Sequence, residues 1–150
     1  MIRQVLTVCI GNVCRSPVAQ LLLARALPGL EVRSAGLRAY AGQPVDKKMQ
    51  RLLAAEGLDG SALRAERLAE WMLRQSDLVL VMEADHRTEI EGLYPLSRGR
   101  VFRLGHFDQQ DIVDPIGKDG AVFQRVYQQI NAGVGHWAER IRKLGYEQSA

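Results

Sequence analysis

Short continuous apolar runs alternate along the chain with stretches where apolar residues recur every three or four positions. The runs Gln4–Cys9, Glu31–Ala35, Asp77–Met82 and Val101–Leu104 predict strands. Leu78-Val79-Leu80-Val81 is apolar at every position, the pattern of a strand covered on both faces. The stretches Pro17–Leu27, Val45–Glu56, Glu66–Arg74, Ala84–Tyr94 and Asp119–Lys143 predict helices. In the last of these, Phe123, Val126, Tyr127, Ile130, Val134, Trp137 and Ile141 form one apolar stripe that would pack on a sheet. Gly133 and Gly135 interrupt the same stretch; each costs about 1 kcal/mol relative to alanine, which marks a place where the helix could break. Trp71 and Trp137 fall on helical faces and are expected in the core. Strands alternating with helices imply βαβ units, hence an α/β fold with a four-stranded parallel sheet between two layers of helices.

A length of 150 residues suits one domain, read here as spanning 1–150, and a core of that size needs no disulfide staples. No apolar run approaches the roughly 20 residues that cross a bilayer. Met1–Val8 lacks a signal-peptide core and reads as the lead-in to the first strand, so a cytoplasmic location without membrane insertion is expected. The net charge of +3 comes from basic residues scattered among acids, as in Arg64, Glu66, Arg67 and Glu70, and not from a basic stripe. That argues against nucleic acid as a partner. His86, His106 and His136 are far apart and have no metal-ligand spacing, and no metal or other cofactor is expected.

The chemistry concentrates in Cys9-Ile10-Gly11-Asn12-Val13-Cys14-Arg15-Ser16-Pro17. A cysteine ends the first strand, Gly11 and Asn12 tolerate tight or left-handed backbone, and Ser16-Pro17 opens a helix with Ser16 as its expected N-cap. Backbone N–H groups of such a loop can converge at a positive helix end and form an anion nest. Arg15 adds a planar charged fork able to grip two phosphate oxygens. The same nest favours the thiolate of Cys9, the nucleophilic form, and the Ser16 hydroxyl could donate to it. The only cysteines are Cys9 and Cys14, which in a reducing compartment points to chemistry and not to a structural bridge. The loop lacks the Gly-Lys-Ser/Thr of a nucleotide-binding P-loop and the Gly-x-Gly-x-x-Gly of a dinucleotide site. Thiolate attack on an aryl phosphate also benefits from an acid that protonates the leaving oxygen. Asp114, after the last predicted strand, can converge on the loop; on the residues alone Asp108 and Asp111 rival it.

At these residues the sequence resembles the low-molecular-weight protein tyrosine phosphatases. The likeness continues through Ser34-Ala35-Gly36 and Asp114-Pro115, while Leu104-Gly105-His106-Phe107-Asp108 and the long last helix resemble the bacterial branch serving capsule and exopolysaccharide export. The resemblance implies that family's Rossmann-like three-layer fold and hydrolysis of phosphotyrosine proteins to release phosphate. In this reading Cys9 forms a phosphocysteine, Arg15 holds the phosphate, and Asp114 acts first as acid and then as base. Substrate would be bound by Ile10, Gly11, Asn12, Val13, Cys14 and Ser16, with Ser34 and Pro115 in support. A reversible Cys9–Cys14 disulfide is also implied, as is a membrane tyrosine autokinase as the partner. Where the family often carries an aromatic after Asp-Pro, this chain has Ile116 and Gly117. That leaves a wider slot, or one walled by Tyr40 or Leu37. Three other readings use the same loop: an arsenate reductase of this fold, which would need further cysteines that are missing after Cys14; a non-catalytic phosphoprotein-binding module; and a redox sensor using the Cys9–Cys14 pair.

Overall fold

The computed structural model describes residues 1–147. Four strands, β1 (Gln4–Cys9), β2 (Glu31–Gly36), β3 (Leu78–Val81) and β4 (Val101–Arg103), form one parallel sheet in the order β2-β1-β3-β4. Five helices connect and cover them: α1 (Arg15–Ala26), α2 (Lys47–Ala55), α3 (Glu70–Gln75), α4 (Ala84–Leu93) and α5 (Gly120–Leu144). Among the described residues no helix is long and apolar enough to cross a membrane.

The alternation of side chains along each strand sorts the core into two halves. Val5 and Cys9 of β1, with Leu78 and Leu80 of β3, pack beneath α1, α2 and α5. Leu6 and Val8 of β1, with Val79 and Val81 of β3, pack against α3 and α4 through Leu73 and Ile90. The apolar run 78–81 is therefore buried on both faces, as its composition requires. Asp46 starts α2 by accepting from Lys48 N and Met49 N, and Asp119 starts α5 by accepting from Val122 N.

Three expectations change. α5 runs unbroken through Gly133 and Gly135. At Gly133 an added Cβ would lie 2.9 Å from Leu104 O, so the missing side chain is what lets the helix sit against the end of β4. Glu66–Ala69 is extended and not helical, because it pairs with the outer edge of β2: Gly36 N donates to Glu66 O, and Leu68 N to Gly36 O. Trp71 is 45% exposed, with the Arg33 guanidinium 5.3 Å from its ring centre, whereas Trp137 is buried as expected. A cation over an aromatic face offsets part of the exposure.

Candidate active site

The carboxyl end of β1 is the centre of the site. Its last residue, Cys9, is registered beside Gly36 of β2, and the chain then turns through residues 10–14 into α1. Three carbonyls along this stretch are taken by neighbouring backbone. Leu37 N donates to Cys9 O, Arg38 N to Ile10 O, and Asp46 N to Val13 O, at 2.9, 2.9 and 2.8 Å. Carbonyls held this way leave the amides facing inward. Those of Gly11, Val13, Cys14 and Arg15 donate to no protein acceptor among the described residues, and they sit at the positive end of α1. This is an anion nest.

Asn12, not Gly11, takes the left-handed conformation, with φ of 57°. Its side chain fixes that turn. Nδ2 donates to Ser16 Oγ and Ser34 Oγ at 2.8 and 2.9 Å, while Oδ1 accepts from Glu66 N at 2.8 Å. Ser34 Oγ in turn donates to Gln20 Oε1. Ser16 does not cap α1, which starts at Arg15 after Cys14 without a side-chain cap. Its hydroxyl accepts from Asn12 and lies 2.9 Å from Cys9 Sγ and 3.4 Å from Ala35 O, so the sulfur is the nearer acceptor for its proton. Asn12 N also donates to Sγ, at 3.3 Å. Pro17, third in the helix, lacks only an N–H that would have had no partner.

Arg15 is buried to 1% exposure, and Nη1 is fully engaged: it donates to Glu83 Oε2 at 2.6 Å and to Ile112 O at 2.8 Å. A guanidinium carries five N–H groups. With both on Nη1 used, Nε and Nη2 remain for a ligand, and that edge is the one suited to bidentate grip of a phosphate. Ile112 N donates to Met82 O, so the segment after β4 is stitched to the end of β3. Two residues further on, Asp114 faces the loop. Its Oδ1 accepts from Ile116 N, and Oδ2 lies 3.8 Å from Arg15 Nη2.

Cys9, Gly11, Val13, Cys14, Arg15, Asp114 and Ile116 line a small cavity that opens to solvent. Asn12 and Ser16 are buried and bonded to one another behind the Cys9 sulfur, Ile10 packs against the core half under α3 and α4, and Pro115, next to Asp114 in the chain, is buried. Leu37 does not wall it: the side chain is buried in the core half under α3 and α4. Tyr40 is 77% exposed and is not among the residues lining the cavity, whose apolar side chains are Val13 and Ile116. Of the three acids open on sequence, only Asp114 lines the cavity. Asp111 accepts from Ala84 N and Arg103 Nη1, and Asp108 faces His136 at 3.4 Å. Burial pushes the Asp111 carboxyl up, but the bonds from Arg103 and Ala84 outweigh it and hold the group below the usual carboxylate range. Cys14 is a free thiol whose burial, with Asp46, Cys9 and Asp114 nearby, raises its pKa far above the ordinary value.

Glu83 was not singled out from the sequence, and His86 was named there only as a histidine without metal-ligand spacing. Glu83 directly follows the apolar run that forms β3, and once β3 lies beside β1 that position is next to the loop. Among the described residues no three His, Cys, Asp or Glu side chains gather as a metal site.

The comparisons with known proteins agree with this geometry. Residues 4–147 match the family model described as low molecular weight phosphotyrosine protein phosphatase. The chain is 44% identical over 145 residues to the "Probable low molecular weight protein-tyrosine-phosphatase EpsP" of Ralstonia nicotianae, covering 97% of this chain and all of that one. The tyrosine phosphatase Wzb from Escherichia coli K30, solved with sulphate, superposes with a TM-score of 0.90 at 36% identity, over 97% of this chain and 100% of that one. Wzb of Vibrio vulnificus, solved with benzylphosphonate, gives a TM-score of 0.90 at 30% identity, over 94% and 100% of the two chains. The four-stranded parallel sheet, the anion nest around Cys9 and these similarities lead to one conclusion: the chain belongs to the low molecular weight protein-tyrosine-phosphatase family and is a phosphotyrosine hydrolase.

Proposed function

We propose that hydrolysis proceeds through a phosphocysteine on Cys9. The Cys9 sulfur attacks phosphorus while the bond to the tyrosine oxygen breaks, and Asp114 gives its proton to that oxygen. Asp114, now a carboxylate, takes a proton from a water that attacks the same phosphorus. The phosphorus–sulfur bond then breaks and inorganic phosphate leaves. Throughout, the amides of Gly11, Val13, Cys14 and Arg15 and the free edge of Arg15 hold the equatorial oxygens, whose stabilisation is the main catalytic demand of phosphoryl transfer. The observation that carries this reading is one small cavity lined by a cysteine sulfur, a buried arginine and a carboxyl group. Expelling a phenolate of pKa about 10 at neutral pH explains the need for the acid.

The physiological substrate in this reading is a tyrosine autokinase of polysaccharide export, met in the cytoplasm. Its support is the resemblance of the Leu104–Asp108 stretch and the similarity to EpsP and Wzb. Turnover on phosphotyrosine, phosphoserine and phosphothreonine peptides, with Cys9→Ser as control, tests the whole. Phosphotyrosine should be strongly preferred and the variant inactive. Equal turnover of the three, or an active variant, contradicts the reading.

A further inference from the structure

His86 stands in the first turn of α4, three residues after Glu83, and is 5% exposed. Its Nε2 lies 3.3 Å from Glu83 Oε2, the same oxygen that accepts from Arg15 Nη1 at 2.6 Å. Its Nδ1 is buried with no hydrogen-bond partner. Those facts select one form of the ring. A proton on Nδ1 would be a buried donor without an acceptor, whereas a proton on Nε2 is donated to the carboxylate. The imidazolium would carry both protons and strand one of them. The charged groups around the ring are Glu83, Glu89 and Asp111, which would favour a charge on it, and Arg15, which opposes one. Burial and Arg15 together keep the ring neutral below its ordinary pKa.

Glu83 needs a second anchor. Its side chain is 30% exposed, so a flexible carboxylate at a strand end could turn toward water and release Arg15. We propose that His86 is a positioning residue for the reaction: as a neutral imidazole it donates from Nε2 to Glu83 and so fixes the carboxylate that aims the Arg15 guanidinium at the phosphoryl group. The inference rests on Arg15 holding the phosphate, as set out above. It reaches substrate only through two other side chains, so its signature is coupling to Glu83.

Three variants separate this from simple packing. Glutamine can place a donor where Nε2 sits, asparagine is too short to reach, and leucine fills the space without a donor. His86→Leu and His86→Asn should lower kcat/KM about 10-fold and weaken competitive inhibition by phosphate similarly, while His86→Gln stays within about twofold of wild type. In a Glu83→Gln background, His86→Leu should add nothing further. In the unmodified protein, a proton–nitrogen correlation spectrum of the imidazoles should show His86 neutral with its proton on Nε2, a readout independent of how the variants fold. The proposal fails if the proton is on Nδ1, if Leu and Asn match Gln, or if the Glu83 and His86 losses multiply. If Cys9→Ser is inactive while the His86 variants behave like wild type, only this inference falls. An active Cys9→Ser removes the underlying reading instead.

Discussion

Gly36→Ala is the substitution that most sharply tests how the sheet builds the site. Gly36 ends β2, where β2 runs alongside the phosphate loop. A Cβ there would lie 2.5 Å from Ile10 O and 2.9 Å from both Asn12 N and Ala39 Cβ. Ordinary contact begins at 3.4 Å, so the loop backbone would have to retreat by about 0.9 Å. Neither Ile10 nor Asn12 can yield by rotating a side chain, because the clash is with backbone. Overpacking of this kind costs about 1–3 kcal/mol. The larger effect is on catalysis, since a misplacement of about 1 Å in a preorganised site can cost about 100-fold. Gly135→Ala is the control: nothing lies within 4 Å of its added methyl, and alanine in a helix interior stabilises by about 1 kcal/mol. The assay is hydrolysis of p-nitrophenyl phosphate, with thermal unfolding on the same samples. A folded Gly36→Ala protein with kcat/KM within about twofold of wild type would refute the claim that this close approach sets the loop.

Other outcomes follow from the same geometry. Asp114→Ala should slow aryl phosphates with poor leaving groups by about 100-fold or more and those with good leaving groups much less, and equal slowing would remove Asp114 as the acid. Iodoacetate should label Cys9 before Cys14, because burial and the neighbouring carboxylates keep Cys14 protonated, and phosphate should protect Cys9; peptide mass mapping reads both. His86 contributes to acid sensitivity. Its folded pKa is below the ordinary 6.5, so under that pH the unfolded chain binds a proton that the folded chain refuses, and stability falls as pH falls. Denaturant unfolding of His86→Gln should show a shallower loss on the acid side, by at most about 1.4 kcal/mol per pH unit, and an unchanged slope would mean the ring titrates normally.

What was legible in the sequence is what is local. The strand-to-helix loop around Cys9, the tolerance of Asn12 for positive φ and the double burial of Leu78–Val81 each follow from residues that are neighbours in the chain. Glu83 and His86 escaped because their role depends on β3 lying next to β1, a matter of strand order that periodicity does not encode. The extended Glu66–Ala69 segment was misread as helix for a similar reason. Its spacing fits a helix, but pairing with Gly36 overrides propensity. Ser16 looked like an N-cap by position, yet its hydroxyl turns to the sulfur because Asn12 already holds it there. Leu37 and Tyr40 could not be told apart as wall residues, since the burial that separates them, Leu37 in the core and Tyr40 at the surface, depends on tertiary packing.

The central claim is that Cys9 becomes phosphorylated inside the nest made by Arg15 and the loop amides. Acid quenching during turnover of p-nitrophenyl phosphate, followed by mass analysis of the Cys9-containing peptide, tests it most directly. The account predicts one phosphoryl group on the Cys9 sulfur, present while substrate lasts and absent in Cys9→Ser. A phosphoryl group on another residue, or steady turnover with Cys9 unmodified, would contradict it.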